Sequence, residues 1–191
     1  MTGVETKFML KPLKPQDIVL LLKTLSLSKE MTTQNKLAML LCMSVSEINA
    51  GTKRLVSAGL LVPIFMDDKL EVIVNKSACE ECLIFDVKYF FPVQLGEYTR
   101  GIATSYTAPV FEKYFVLGHD PIPVWPYEDG DRKGLALEPL YSSVSKSIVQ
   151  YPDQFFYEML VLINAIRNGR VRERDMAIKL LREKIHGKKL V

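Results

Sequence analysis

The sequence predicts an α+β protein, and three observations carry that prediction. Apolar residues recur with helical spacing near both ends of the chain. Two short apolar runs, before and after residue 67, read as a strand pair. Six of the ten prolines fall between Phe90 and Leu140, where they oppose helices and central strands. The expected layout is helices and a hairpin over residues 10–75. Over 76–191 it is a proline-rich middle of irregular structure and short strands, then a helical end.

The first helix starts at Lys14-Pro15-Gln16-Asp17, with proline in the first turn and Asp17 complementing the helix dipole. Ile18, Leu21, Leu22 and Leu25 form its inward stripe. A polar stretch from Ser26 to Thr33 ends in a threonine cap for a short helix, Gln34 to Leu41. After a tight connection at Cys42-Met43, Ser44-Val45-Ser46-Glu47 has the form of a capping box, which opens a third helix. Ile48, Thr52 and Leu55 face inward, and Gly59 stops the helix before a strand. Leu60 to Phe65 and Leu70 to Val74 are the expected hairpin strands, joined through Met66-Asp67-Asp68. Asn75 to Tyr89 reads as helical, with Cys79, Cys82, Leu83 and Val87 inward. At the far end, Phe155, Phe156, Met159, Leu160, Ile163 and Ile166 make a broad apolar stripe. Beyond Gly169, Val171, Ala177, Leu180, Leu181 and Ile185 continue it, opposite a basic face.

Composition bounds the function. With 191 residues, 48% hydrophobic and 25% charged, the chain has enough apolar residues for a packed core. Its apolar runs are too short for a membrane helix, and the amino terminus lacks a basic-then-apolar leader, so a cytoplasmic protein is expected. Three cysteines do not make a disulfide framework. The single Cys79-x-x-Cys82 pair lacks a second closely spaced pair to complete a zinc site, so no metal is expected. No phosphate-cradling glycine motif and no H-E-x-x-H occurs, and His119 and His186 are isolated, so neither catalysis nor a cofactor is expected. The net charge of +3 is small. From Ala165 to Val191, however, nine Lys or Arg stand against three Asp or Glu. That excess fits either a nucleic-acid footprint or a solvated helix face.

The order helix, short helix, tight turn, capped helix, hairpin resembles the winged helix-turn-helix regulators of bacteria, MarR-like ones in particular. The resemblance rests on Gln34 through Ile48, Lys53-Arg54-Leu55 and Ala58-Gly59-Leu60-Leu61. It implies that Ala38 lets two helices cross closely and that Leu37, Leu41, Met43, Val45 and Ile48 wedge them together. Two positions depart from the pattern: Cys42 stands where the turn usually holds glycine, and Gly51 where an apolar residue is usual.

If the third helix enters a major groove, Ser46, Asn49, Ala50 and Lys53 lie on its reading face by 3.6-residue periodicity. Asn pairs with adenine in bidentate fashion and Lys donates to guanine. Thr33, Gln34, Lys36, Arg54 and Lys69 are placed for phosphates. The rest of the chain resembles uncharacterised bacterial proteins through Phe90-Phe91-Pro92, Thr99 to Thr104, Val124-Trp125-Pro126 and Arg172 to Asp175. That likeness implies no activity. Arg100, Thr104, Tyr106 and Trp125 are a candidate ligand pocket, or else the packing of a proline-rich loop. Arg172-Glu173-Arg174-Asp175 reads as a charge-laced helix face making i,i+4 pairs.

The expected function is sequence-specific binding of double-stranded DNA by a transcriptional regulator, with a repressor the expected form. The helices from Tyr151 to Ile185 are expected to form a homodimer or hold the chain against a partner, and the stripe from Phe155 to Ile166 fits either that surface or an intramolecular core. One rival is an adaptor whose winged helix binds a protein partner. The other is an accessory nucleic-acid factor using the basic carboxy-terminal helix.

Overall fold

The computed structural model describes residues 11–27, 32–66, 69–116, 118 and 120–187. α1 (Pro15–Ser26) has Pro15 in its first turn, and the Lys14 N–H donates to Asp17 Oδ2 at 2.8 Å. Its inward stripe widens to a girdle. Ile18, Val19, Leu20, Leu21 and Leu22 are all buried, because α1 packs against four other elements. α2 (Gln34–Leu41) and α3 (Val45–Ser57) are two of these. The connection between them is made by Cys42 in the left-handed region, φ 52° and ψ 42°. The capping box forms as two reciprocal bonds: the Glu47 N–H donates to Ser44 Oγ at 3.2 Å, and the Ser44 N–H donates to Glu47 Oε2 at 3.0 Å.

β1 (Leu61–Met66) and β2 (Lys69–Val74) pair antiparallel, from Leu61 opposite Val74 to Met66 opposite Lys69. α4 (Lys76–Glu81) then runs through a π-helical turn, Cys82–Asp86, into α5 (Val87–Phe90). Cys79, Leu83, Ile84 and Val87 point inward, while Phe85, Tyr89 and Phe90 stay exposed.

The proline-rich middle forms a small closed sheet: β3 (Leu95–Ala103), β4 (Pro123–Pro126) and β5 (Arg132–Leu137). β3 runs antiparallel to both partners, and β4 runs parallel to β5. Closure depends on glycine, since a Cβ on Gly101 would sit 2.0 Å from the Trp125 carbonyl oxygen. Three helices follow: α6 (Val144–Gln150), α7 (Gln154–Asn168) and α8 (Val171–His186).

α7 is the centre of the core. Its stripe of Phe156, Met159, Leu160, Ile163 and Ile166 is joined by buried Val161, Leu162 and Ala165, so the helix is enclosed by α1, α5 and α8. The stripe from Phe155 to Ile166 is thus interior, the intramolecular one of its two readings from the sequence. The cap of α7 fastens it to α1. Asp153 Oδ1 accepts from the Phe156 N–H at 3.0 Å, and Asp153 Oδ2 accepts from Lys23 Nζ at 2.8 Å and Ser26 Oγ at 2.9 Å. Buried apolar residues on both sides of residue 75 belong to one continuous core. Among the described residues no helix is long and apolar enough to cross a membrane.

Candidate nucleic-acid interface

The position of α3 is set from beneath. Ile48, Gly51 and Leu55 are buried against the helices below. Arg54 Nε and Nη2 each donate to Asp17 at 2.6 Å, a bidentate pair joining α3 to α1. Asp17 is fully buried and Arg54 only 9% exposed, and the Asp17 carboxylate raises the Arg54 pKa above its ordinary value. Arg54 was expected at phosphates. Its Nε and Nη2 are instead committed to the interior, because a carboxylate without solvent needs a partner.

Gly51 explains itself in the same place. A Cβ there would lie 2.9 Å from Asp17 Oδ1 and 3.1 Å from Leu20 Cδ2, so the close approach of α1 and α3 leaves no room for a side chain. Gly51→Ala should therefore destabilise by about 1–3 kcal/mol in urea unfolding, the cost of overpacking. The gain of about 1 kcal/mol usual for alanine over glycine in a helix is the opposite outcome.

On its outer side α3 lines a shallow groove of about 730 Å³ with Val45, Ser46, Asn49, Ala50, Lys53, Arg54 and Ser57, joined by Lys11 from the segment before α1. Ser46 and Lys53 are exposed, and Asn49 and Ala50 half-buried. Asn49 Nδ2 donates to Gln34 Oε1 at 3.2 Å, which brings the first residue of α2 beside the middle of α3. That bond orients the Asn49 amide. It leaves one N–H and the Oδ1 acceptor uncommitted among the described residues, the two groups that adenine N7 and N6 require. The Thr33 hydroxyl caps α2 by accepting from the Lys36 N–H at 3.2 Å, and its own proton remains for donation. Lys36 sits half-buried in the first turn of α2. Lys69 opens β2 opposite Met66; its side chain, like Asp67 and Asp68, lies outside the described residues.

The start of α3 is also held from a distance. The Tyr141 hydroxyl donates to Glu47 Oε1 at 2.5 Å. The bond from Tyr141, then those from Ser44, hold the Glu47 carboxyl below the ordinary glutamate range. This clamp was missed from the sequence, because its partners are 94 residues apart.

The second candidate pocket does not assemble. Thr104 and Trp125 are buried, Thr104 accepting from Asn164 Nδ2 at 3.2 Å. Arg100 is exposed and donates to the Gly130 carbonyl at 3.0 Å. Tyr106 alone lines a cleft, with Phe115, Ile122 and Arg170 among its neighbours there. The loop-packing alternative accounts for the other three.

The basic carboxy-terminal helix is tied inward at its far end, while Arg170, Arg172 and Lys179 stay exposed. Arg167 donates to the Phe91 carbonyl and to Asn164 Oδ1, and burial lowers its pKa to about 10. Arg182 and His186 pair with Glu80, and Lys184 with Glu158. Glu173 caps α8 by accepting from the Arg170 N–H at 2.8 Å, in place of the expected i,i+4 pair. Burial pushes the Cys79 thiol up to about 12 and the Cys82 thiol to about 11. Both therefore stay protonated near neutrality, which disfavours nucleophilic attack. Among the described residues no group of three or more His, Cys, Asp or Glu could hold a metal. No family model, curated protein or solved structure matches the chain.

Proposed function

We propose that residues 10–75 form a winged helix-turn-helix related to the MarR-like regulators, and that the chain is a sequence-specific binder of double-stranded DNA that represses transcription. The observation that carries this reading is the outer face of α3. It presents a preoriented Asn49 amide, the exposed ammonium of Lys53 and the small residues Ser46 and Ala50, so backbone and side chains can approach base edges. Lys11 flanks the same groove, where a phosphate would position the helix. An adaptor surface would centre on several large apolar anchors; here Val45 and Ala50 are the apolar side chains among the groove's described lining. The accessory-factor reading keeps the exposed Arg170 and Arg172, while Arg167, Arg182 and Lys184 are engaged within the chain. A two-fold dimer remains part of the proposal, with its interface outside the enclosed α7.

The test is selection from a random-sequence duplex pool, followed by affinity measurements on the enriched site. The expected result is one enriched motif. Asn49→Ala should weaken binding to it by about 1–3 kcal/mol and relax one position, whereas Lys53→Ala should also lower the salt slope by about 1 if its contact is to phosphate. No enrichment, with no retardation at low salt, overturns the proposal.

A further inference from the structure

α6 has two working faces. Ser147 and Gln150, three residues apart, share the face toward α2 and the turn that follows it. Ser147 Oγ donates to the Leu40 carbonyl at 2.7 Å, and Cys42 Sγ contacts Gln150 Oε1 at 3.6 Å. Just before α6, Tyr141 holds Glu47 at the start of α3. Three contacts from one short segment thus converge on the α2–α3 connection. Ile148 and Val149, rotated away from that face, line a cleft of about 420 Å³ whose opposite wall is the turn through Tyr127, Asp129 and Asp131.

The chemistry of this cleft is one-sided. Ile102, Ile148, Val149 and Pro152 supply an apolar lining, and Tyr127 and Tyr157 supply aromatic walls. The ionisable residues lining it, tyrosines aside, are all aspartates, with no lysine or arginine. Asp153 is already neutralised by Lys23, and Asp131 has only an exposed contact with Arg132 at 3.6 Å. Asp129 lies exposed on the same rim. An apolar lining, two tyrosine side chains and the exposed carboxylates of Asp129 and Asp131, with Arg132 in a loose pair and Arg100 bound to the Gly130 carbonyl outside the lining, suit an ammonium group carried on an apolar body. We propose that this cleft binds a small organic cation, and that filling it shifts α6 and, through it, the α2–α3 connection. The consequence for DNA rests on the function proposed above; the site itself does not.

The chain carries its own reporters. Trp125 is its only tryptophan, and it meets the ring of Tyr157 edge-on at 5.9 Å. Titration of the full chain with benzyltrimethylammonium chloride should give a saturable change in tryptophan emission. Sodium benzoate at matched ionic strength should not. The double variant Asp129→Asn, Asp131→Asn, altered only on the exposed turn, should weaken the response by roughly tenfold or more. In a Cys82→Ser background, the alkylation rate of Cys42 should change with the cation bound. A response lacking at concentrations up to about 10 mM, where even weak binding registers, overturns the site. So does an equal response to benzoate, or one indifferent to the double variant. Saturable binding with unchanged Cys42 alkylation overturns the relay. If emission and Cys42 both respond while the chain retards no DNA, this inference stands and the DNA-binding proposal falls.

Discussion

Asp17→Ala should destabilise the protein by about 3–5 kcal/mol, measured by urea or thermal unfolding, because it strands a buried guanidinium. Asp17 receives three hydrogen bonds, one from the Lys14 N–H and two from Arg54, and is fully buried. Its removal uncaps α1 and leaves Arg54 charged without a partner. The double variant Asp17→Ala, Arg54→Met should recover a large part of the loss, since removing both members of a buried pair costs far less than removing one. A loss below about 1 kcal/mol for the single variant would place the pair among solvent-screened surface contacts.

Asp153→Ala should cost about 2–4 kcal/mol, combining a lost helix cap with an uncompensated Lys23. Lys23 is 2% exposed and Asp153 21%, so the pair is screened on one side only. Burial works to raise the Asp153 pKa, but Lys23, the Phe156 N–H and the Ser26 hydroxyl outweigh it and hold the carboxyl below the ordinary aspartate range. The sign follows from linkage. A depressed carboxyl adds stability that is complete above its unfolded pKa of about 4 and is lost as pH falls through the lower folded value. Wild-type stability should therefore fall below about pH 4, and Asp153→Ala should flatten that dependence. An unchanged acid limb in the variant would contradict the assignment. Lys23→Met is the informative companion, because it leaves Asp153 capping α7 while removing the buried charge.

What the sequence disclosed was local. The capping box was legible because Ser44 and Glu47 are three residues apart and their chemistry needs no third party. Thr33 as a cap and Pro15 as a first-turn residue were legible for the same reason. The pairing of Arg54 with Asp17 was not legible because the two lie 37 residues apart. Periodicity says only that a residue faces outward, not that a neighbouring helix reaches it. The stripe from Phe155 to Ile166 was seen, but Val161, Leu162 and Ala165 between its members show a helix buried all round. The closed sheet could not be read, because the parallel pairing of β4 with β5 is non-local and prolines bound β4 at both ends. Thr104 and Trp125 were gathered as a pocket for their residue types, whereas the topology buries both.

The central claim is that α3, rather than α8, is the surface that meets DNA. Its direct measurement is the anisotropy of a fluorescent random-sequence duplex at low salt, titrated with wild type, Lys53→Glu and Arg172→Glu. Both side chains are exposed, so neither reversal disturbs the core. Lys53→Glu should weaken binding by roughly tenfold or more, from one lost phosphate-side cation and one new repulsion, while Arg172→Glu changes it little. The opposite ranking, or a duplex indifferent to both variants, would contradict the account.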